Sequence, residues 1–454
     1  MIYTLQIEFS AFEIFYLIML FAIGFIITYL ITPITIKFMK KKGYIGIDIH
    51  KNSKPEVPES GGLSMVFGFL GGSIFLLIFF SKLRNEILIA CLTIFLSGII
   101  GFLDDRIKLK SRYKIGMTLF TGLLIFFANF FGFINIENPT FPIIGQMRLT
   151  ILYPILIPLI VTVFSNTVNM LEGYNGEGSG TCLIVVGFLI ICSLIKNTSE
   201  GLIFSILSFS IILAFFFFNK FPAKTFPGDV GTLTMGAMIA SIAIFGGLEV
   251  VAFVALLTHV FNSFYYIISA RGFFESSEVH KFRDDIILIE DDYIKASEQK
   301  NALFTMPRLI LSKGPLKEPQ LVKYFHVLTF LCGFLAIITT LLMRWTTEPI
   351  DYTILIITII GICVVYILVF YLFPRIRDIF IHIILLFVTM ILLLIFVDLF
   401  IISLSLTDLD LGFIKIPYNI LISVLIIIPF LIVWYKITIK YFWNQMSKNK
   451  NIRS

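Results

Sequence analysis

Charge is what this 454-residue chain has least of. Only 14% of its residues are Asp, Glu, Lys or Arg, against about a quarter in a soluble domain, while 58% are hydrophobic. That excludes a water-soluble globular protein and leaves a polytopic membrane protein, surrounded by bilayer and with no nucleic acid expected as a partner. Cysteine is scarce too. Cys91, Cys182, Cys192, Cys332 and Cys363 all lie in apolar segments, with no CxxC pair and no Cys/His cluster. A disulfide frame and a zinc site are excluded on that pattern, and the five read as small core residues. The histidines His50, His259, His280, His326 and His382 are scattered and form no metal cluster. The first apolar run, from near Ala11 past Ile31, lacks a basic leader and a small-residue cleavage site. It is expected to be a retained helix.

What is there is apolar sequence in lengths of about 20 residues, the thickness of a bilayer in helix. Thirteen candidate spans run from 11–36 to 418–435, and the fold class is all-α. The split of the run 231–269 at Gly246-Gly247 is the least sharp, since Glu249 is its only charge. With the N-terminus outside, the inner segments hold 29 of the 35 Lys and Arg and the outer segments 6. That asymmetry fixes the orientation. One sizeable insertion, 270–323, lies on the inner side and carries Arg283, Asp284, Asp285, Glu290, Asp291 and Asp292.

Every polar cluster with chemical character falls on that same inner face. The apolar run Ile87–Leu103 ends in Asp104 and Asp105, followed by Arg106, Lys108, Lys110, Arg112 and Lys114. Two adjacent carboxylates raise each other's pKa unless a cation neutralises them, and Mg2+ binds one or two carboxylates together with substrate phosphates. A solvated helix cap beside an anionic-lipid contact is the bland alternative. The span 151–171 turns polar at Ser165; Asn166, Asn169, Glu172 and Asn175 then recur at three-residue spacing ahead of a glycine-rich stretch. This is a ligand-facing segment or interhelical hydrogen-bonding glue. Asp229 precedes the apolar run 231–247, as an N-cap or as a completing ligand for a metal at Asp104 or Asp105, with Phe226 available to stack on a flat base. In the loop Gly46–Gly62, Lys51 and Lys54 offer charge to phosphates, and Glu59 and Ser60 offer hydrogen bonds.

Together these blocks resemble the polyprenyl-phosphate N-acetylhexosamine-1-phosphate transferases. That family carries a GxD…K…PxxGG first loop, matched by Gly46, Asp48, Lys51, Pro58, Gly61 and Gly62. Its GxxDD block with a distal lysine is matched by Gly101, Asp104, Asp105 and Lys114. Asn169, Gly173, Asn175 and Gly176 match its next block, and Phe226, Gly228 and Asp229 its F(x)GD. Within the family, Pro58-Glu-Ser-Gly-Gly62 and Val260-Phe-Asn262 look like the dolichyl-phosphate GlcNAc-1-phosphotransferase branch of eukaryotes and archaea. The bacterial cell-wall branch is less similar, for its histidine-rich loop has no counterpart.

The resemblance implies transfer of N-acetylglucosamine 1-phosphate from UDP-GlcNAc to a polyprenyl or dolichyl phosphate, with release of UMP, as the first step of lipid-linked oligosaccharide synthesis for N-glycosylation. It implies Mg2+, or Mn2+, held by Asp229 and Asn169. It assigns Asp104, Asp105 and Lys114 to the lipid phosphate and the developing charge, and Asp48, Lys51, Glu59, Asn175, Phe226 and Arg308 to substrate binding. It implies a ten-helix core over 1–343, with 270–323 as its inner loop, and about three further helices over 344–454. A homodimer, and the plasma membrane of an archaeon with the site on the cytoplasmic face, are expected. The sequence departs from many members at Lys108, where they have a third acid or Asn, and from the branch in the inner insertion. Phe304 and Thr305 stand where its His/Arg cluster for the N-acetyl group belongs, so another UDP-amino sugar, for envelope polysaccharide, is the alternative substrate. A lipid or solute transporter is the reading from another class, but no internal repeat supports it.

Overall fold

The computed structural model describes residues 11–142, 145–146, 152–272, 284–347, 352–404, 408–410 and 415–453. Arg148, His280 and Arg283 lie outside the described residues. Among them, eleven helices are long and apolar enough to cross a membrane, one further span is bent, and one apolar helix is shorter. These are the thirteen segments expected, and the protein is an integral multi-pass membrane protein.

In chain order, α1 (Ala11–Lys42) leads into a hairpin of β1 (Ile45–Ile47) and β2 (Glu56–Pro58), then the short α2 (Leu63–Phe79). Next come α3 (Arg84–Ile107), α4 (Ser111–Phe130), α5 (Leu152–Leu171), α6 (Glu177–Lys196), α7 (Ser199–Asn219) and α8 (Gly228–Gly246), with the two-residue strands β3 (Thr140–Phe141) and β4 (Gly145–Gln146) ahead of α5. The 231–269 run breaks at Gly247, in the left-handed region at φ +59°. It then breaks again. The expected single span 249–269 is two helices, α9 (Glu249–Ala255) and α10 (Leu257–Ala270), bent by 72°. The insertion folds as a three-stranded antiparallel sheet of β5 (Ile286–Leu288), β6 (Tyr293–Ala296) and β7 (Leu316–Lys317), with α11 (Met306–Leu311) between the last two. Then follow α12 (Glu318–Thr347), α13 (Tyr352–Leu372), α14 (Pro374–Ser403), the hairpin β8 (Asp408–Asp410) and β9 (Lys415–Pro417), and α15 (Tyr418–Arg453).

Helix α8 is the axis of the bundle. Its apolar stretch is 83% buried, against 11% in α13. The reason is side-chain size: Gly231, Gly236, Ala237, Ala240, Ser241 and Ala243 let neighbouring backbones approach closely, as small residues do in lipid-embedded helices. A Cβ on Gly236 would run into the backbone of Phe164 and Ser165 on α5. Helices α13–α15 are peripheral, and their outer faces are apolar.

Ends assigned to one side of the membrane meet in space. On the outer side, Arg344 Nη1 donates to Ile195 O at 2.8 Å and Asn85 Nδ2 to Phe133 O at 2.7 Å. On the inner side, the Asn52 amide donates to Asp292 Oδ1 at 2.7 Å.

Candidate active site

Four inner helix ends converge, and their approach depends on glycine. A Cβ on Gly101 of α3 would strike the backbone of Asp229 and Val230, and one on Gly62 the backbone of Gly231. Helix α3 does not stop at Leu103 as expected. It continues through Asp104 and Asp105 to Ile107, so both carboxylates sit in its last turn. Lys108 ends it in the left-handed region at φ 53°, a conformation that costs a non-glycine residue on the order of 1 kcal/mol. Its N–H donates to Asp104 O at 2.8 Å, and the next amide, Leu109 N–H, donates to Asp104 Oδ1 at 2.7 Å. That turn reverses the chain and brings Lys114, in the first turn of α4, back against Asp104.

The Lys114 ammonium is then ringed by oxygen. It pairs with Asp104 Oδ2, lies 2.8 Å from Asp229 Oδ2, and lies 3.4 Å from Asn169 Oδ1. Asn169 uses its amide nitrogen on Asp229 Oδ1 and, at 2.8 Å, on Thr232 Oγ1. Thus α3, α4, α5 and α8 each contribute one member to a single network. Exposure differs within it: the Asp104 side chain is 2% exposed, Lys114 11% and Asp229 29%. Asp229 is the carboxylate that faces open space.

Asp105 has a different task. Its Oδ1 accepts the Asp229 N–H at 2.7 Å, and its Oδ2 accepts Ser60 Oγ–H at 2.6 Å and the Val230 N–H at 3.5 Å. It therefore caps the N-terminus of α8, where amides have no partner within the helix and a negative charge is favoured. Arg106 donates to the same Ser60 hydroxyl, with its guanidinium 3.5 Å from the centre of the Tyr44 ring.

A second cluster lies along the first loop. Asp48 Oδ2 accepts from Lys51 and, at 2.9 Å, from Asn175 Nδ2. Glu318 Oε1 accepts the Asn175 N–H at 2.7 Å, and its Oε2 lies 3.9 Å from Lys51 Nζ. His50 stacks on Tyr174 at 4.4 Å and bonds to Gly173 O at 3.0 Å. Burial raises the Asp48 carboxyl, but the hydrogen bonds from Lys51 and Asn175 outweigh it and hold it below the usual carboxylate range. Burial lowers the His50 imidazole and pushes Glu172 up to about 8.

A family model described as glycosyl transferase family 4 matches residues 87–247, which span α3 through α8. A Sulfolobus acidocaldarius protein is 30% identical over 70% of this chain and 94% of its own length. It is provisionally named a UDP-N-acetylglucosamine–dolichyl-phosphate N-acetylglucosaminephosphotransferase. A provisionally named glycosyltransferase of Methanocaldococcus jannaschii is 31% identical over 70% of this chain and 96% of its own length. The chain belongs to glycosyl transferase family 4. A phospho-N-acetylmuramoyl-pentapeptide-transferase of Halalkalibacterium halodurans is 30% identical over 52% of this chain and 76% of its own length.

Of the residues that the sequence singled out in this family 4 member, the structure gathers Asp104, Lys114, Asn169 and Asp229 into one network and Asp48, Lys51 and Asn175 into the other. The N-cap alternative for Asp229 does not hold: the α8 cap comes from Asp105, and Pro227 makes no side-chain cap. Asp105, expected at the lipid phosphate, has both oxygens committed to α8 and Ser60. Phe226 is half-buried and pairs by backbone with the first loop, its N–H to Pro58 O at 2.8 Å and its carbonyl from Gly61 N–H at 2.9 Å. The half-buried Glu59 side chain lies against Gly46, where an added Cβ would meet it.

Arg308, expected to bind substrate, has no free donor. Its five N–H groups go to the carbonyls of Ser297, Gln299, Ala302 and Leu303 at 2.7–3.2 Å, Ser297 taking two. Burial lowers the guanidinium to about 10, so it stays charged at neutral pH. Glu318 is the member that sequence reasoning missed. Its one signal was a carboxylate at the mouth of an apolar span, and its partner Asn175 is remote in sequence.

The transporter reading is set aside by membership of a transferase family. Gly101→Ala is expected to displace the start of α8 and cost about 1–3 kcal/mol, read as a lower melting temperature and a lower turnover in detergent. An unchanged melting temperature and rate would show that the α3–α8 contact has slack.

Proposed function

We propose that this chain transfers an N-acetylhexosamine 1-phosphate from a UDP-sugar to a polyprenyl phosphate and releases UMP. UDP-GlcNAc and a dolichyl phosphate are the pair that the archaeal relatives' names support, with 1–343 as the transferase core. The observation that carries this reading is the convergence of Asp104, Asp229 and Asn169 oxygens on the Lys114 ammonium at one membrane face. Such a site holds opposite charges at the ends of membrane-spanning helices, where a lipid phosphate would meet it. An oxygen of the lipid phosphate attacks the sugar-linked phosphorus; the new P–O bond forms as the bond to the bridging oxygen breaks, and UMP leaves with that electron pair. A phosphate monoester has a second pKa of about 6, so the nucleophile is already ionised and needs positioning more than a base. Lys114 neutralises the lipid phosphate, and buried Asp104 holds Lys114 in place. Asp48, Lys51 and Asn175 form the wall for the nucleotide.

Mg2+, with Mn2+ as its substitute, fits the donors present. Three oxygens already surround one cation, the Lys114 ammonium, and all are hard ligands. Mg2+ is held by one or two carboxylates together with substrate phosphates. Asp229 and Asn169 would hold it. When bound, it neutralises charge on the diphosphate.

A second donor is favoured by one observation. Phe304 is 3% exposed and packs on Tyr265 at 5.1 Å, while Thr305 caps α11 and donates to Asp285 at 2.6 Å. Neither presents a polar group to an N-acetyl substituent, so a different UDP-amino sugar remains the alternative. The charge asymmetry and the relatives' organisms support a site that faces the cytoplasm of an archaeon.

The test is UMP release by purified protein with a panel of UDP-amino sugars and polyprenyl phosphates, with and without Mg2+. UMP and a lipid-linked sugar diphosphate are expected only when both substrates and the ion are present. No release with any pair overturns the reading.

A further inference from the structure

The inner insertion stands between the site and the C-terminal helices, and it is tied to both. Toward the site, Asn52 of the first loop bonds Asp292 and, at 3.3 Å, Ile289 O. The Met306 N–H donates to Asn262 Oδ1 at 3.0 Å, and Asn262 Nδ2 donates to Met170 O at 2.9 Å, one residue from Asn169. The loop 297–306 is therefore two hydrogen bonds away from the end of α5 that carries Asn169.

On the opposite side the loop meets α15, and the turn after α11 meets α14. Arg308, which gathers the loop's carbonyls, lies under Phe442 at 4.8 Å and Trp443 at 5.7 Å. These rings cover the guanidinium, and a drier setting strengthens the bonds it makes. Phe304 packs on Phe442 at 5.4 Å and on Tyr435 at 6.1 Å. Below them, Lys313 pairs with Asp378 at 2.6 Å and Arg375 donates to Gly314 O at 2.9 Å. Beside the loop is a cavity of about 510 Å³, bounded by Arg271, Lys300, Ala302 and α15. The loop thus has room to withdraw, and the named contacts are what oppose it.

We propose that Phe442 and Trp443, acting through Arg308, are positioning residues that press the loop 297–306 against the site and so set the affinity for the water-soluble donor. The inference rests on the transferase reading and adds a role for the helices appended after α12. Among the described residues, none of their hydrogen bonds or ion pairs reaches the Asp104, Lys114, Asn169 and Asp229 network. Their loss raises the KM for the donor and leaves the chemical step intact.

The test uses the full chain. In the Phe442→Ala/Trp443→Ala double variant the KM for the UDP-sugar is expected to rise about five- to tenfold, with kcat and the KM for polyprenyl phosphate within about twofold, the pattern of lost uniform binding. Phe442→Leu/Trp443→Phe, which keeps bulk over Arg308, is expected to restore most of the donor affinity. Amide exchange across 297–306, measured without substrate, is expected to quicken about tenfold or more in the alanine variant. Unchanged exchange, an unchanged donor KM, or equal losses for both substrates each overturn the proposal. If the alanine variant does not fold, Asp378→Asn, which weakens the Lys313 contact together with those of Arg377 and Tyr441 and leaves the rings over Arg308 in place, must show the same split on a smaller scale. A wild type that releases no UMP defeats the transferase reading, while the exchange measurement still decides whether the clamp exists.

Discussion

Asp229→Asn is expected to lower turnover about a hundred- to a thousandfold, the usual loss when one preorganised electrostatic group is removed from a reacting site. Asparagine keeps the shape but has one oxygen for two donors, so it serves either the Asn169 amide or Lys114 and sets an NH2 against the other, and the melting temperature should fall by several degrees without loss of the fold. What is lost is the charge, and Asp229 is the network carboxylate with the most exposed side chain, at 29%. Under the proposed function the concentration of Mg2+ giving half-maximal rate should rise as well, because one anionic ligand has become neutral. Asp104→Asn should also collapse turnover, but with a larger stability loss, since Asp104 is buried and holds both Lys114 and the Leu109 amide. A purified Asp229→Asn protein with a near-normal rate would remove Asp229 from the chemistry.

Lys114→Met is expected to hurt both stability and rate. It leaves Asp104 and Asp229 facing each other with no cation between them. Removing one partner of a buried pair costs about 3–5 kcal/mol, because the remaining charge is stranded. Adding Asp104→Asn to Lys114→Met should recover part of the melting temperature, since the stranded charge goes too, but none of the rate. That non-additivity is the signature of groups in direct contact. If the two losses in melting temperature simply add, the pairing seen between Lys114 and Asp104 is not energetically real. If the rate survives Lys114→Met, the cation is not needed to meet the lipid phosphate.

Much of the fold was legible because lipid imposes a simple rule: a span must be apolar over its whole length. Thirteen segments follow from that rule, and lysine and arginine placement groups the ends that meet in space. The break at Gly247 was legible, but the second one, at Leu256, was not, since α9 and α10 are apolar on both sides of a 72° bend and hydropathy carries no angle. The extent of α3 was misjudged for a related reason. Two carboxylates look like a helix end, yet both are satisfied within the bundle, and the helix runs on to Ile107.

The sequence by itself determined the class of protein, the face on which the polar residues gather and the residue types available for phosphate chemistry. Those are properties of composition and of order along the chain. Which carboxylate does what was decided only by the tertiary structure. Asp104 and Asp105 are neighbours in sequence and take different partners from one helical turn, one Lys114 and the other the N-terminus of α8. Arg308 looked like a substrate contact and is instead saturated by four carbonyl groups under Phe442 and Trp443, more than a hundred residues further on. Glu318 joins Asn175 from the neighbouring helix α12, far along the chain. Hydrogen-bond partners so distant in the chain are set by how helices pack, and packing follows from volume and close approach at places such as Gly62 and Gly101.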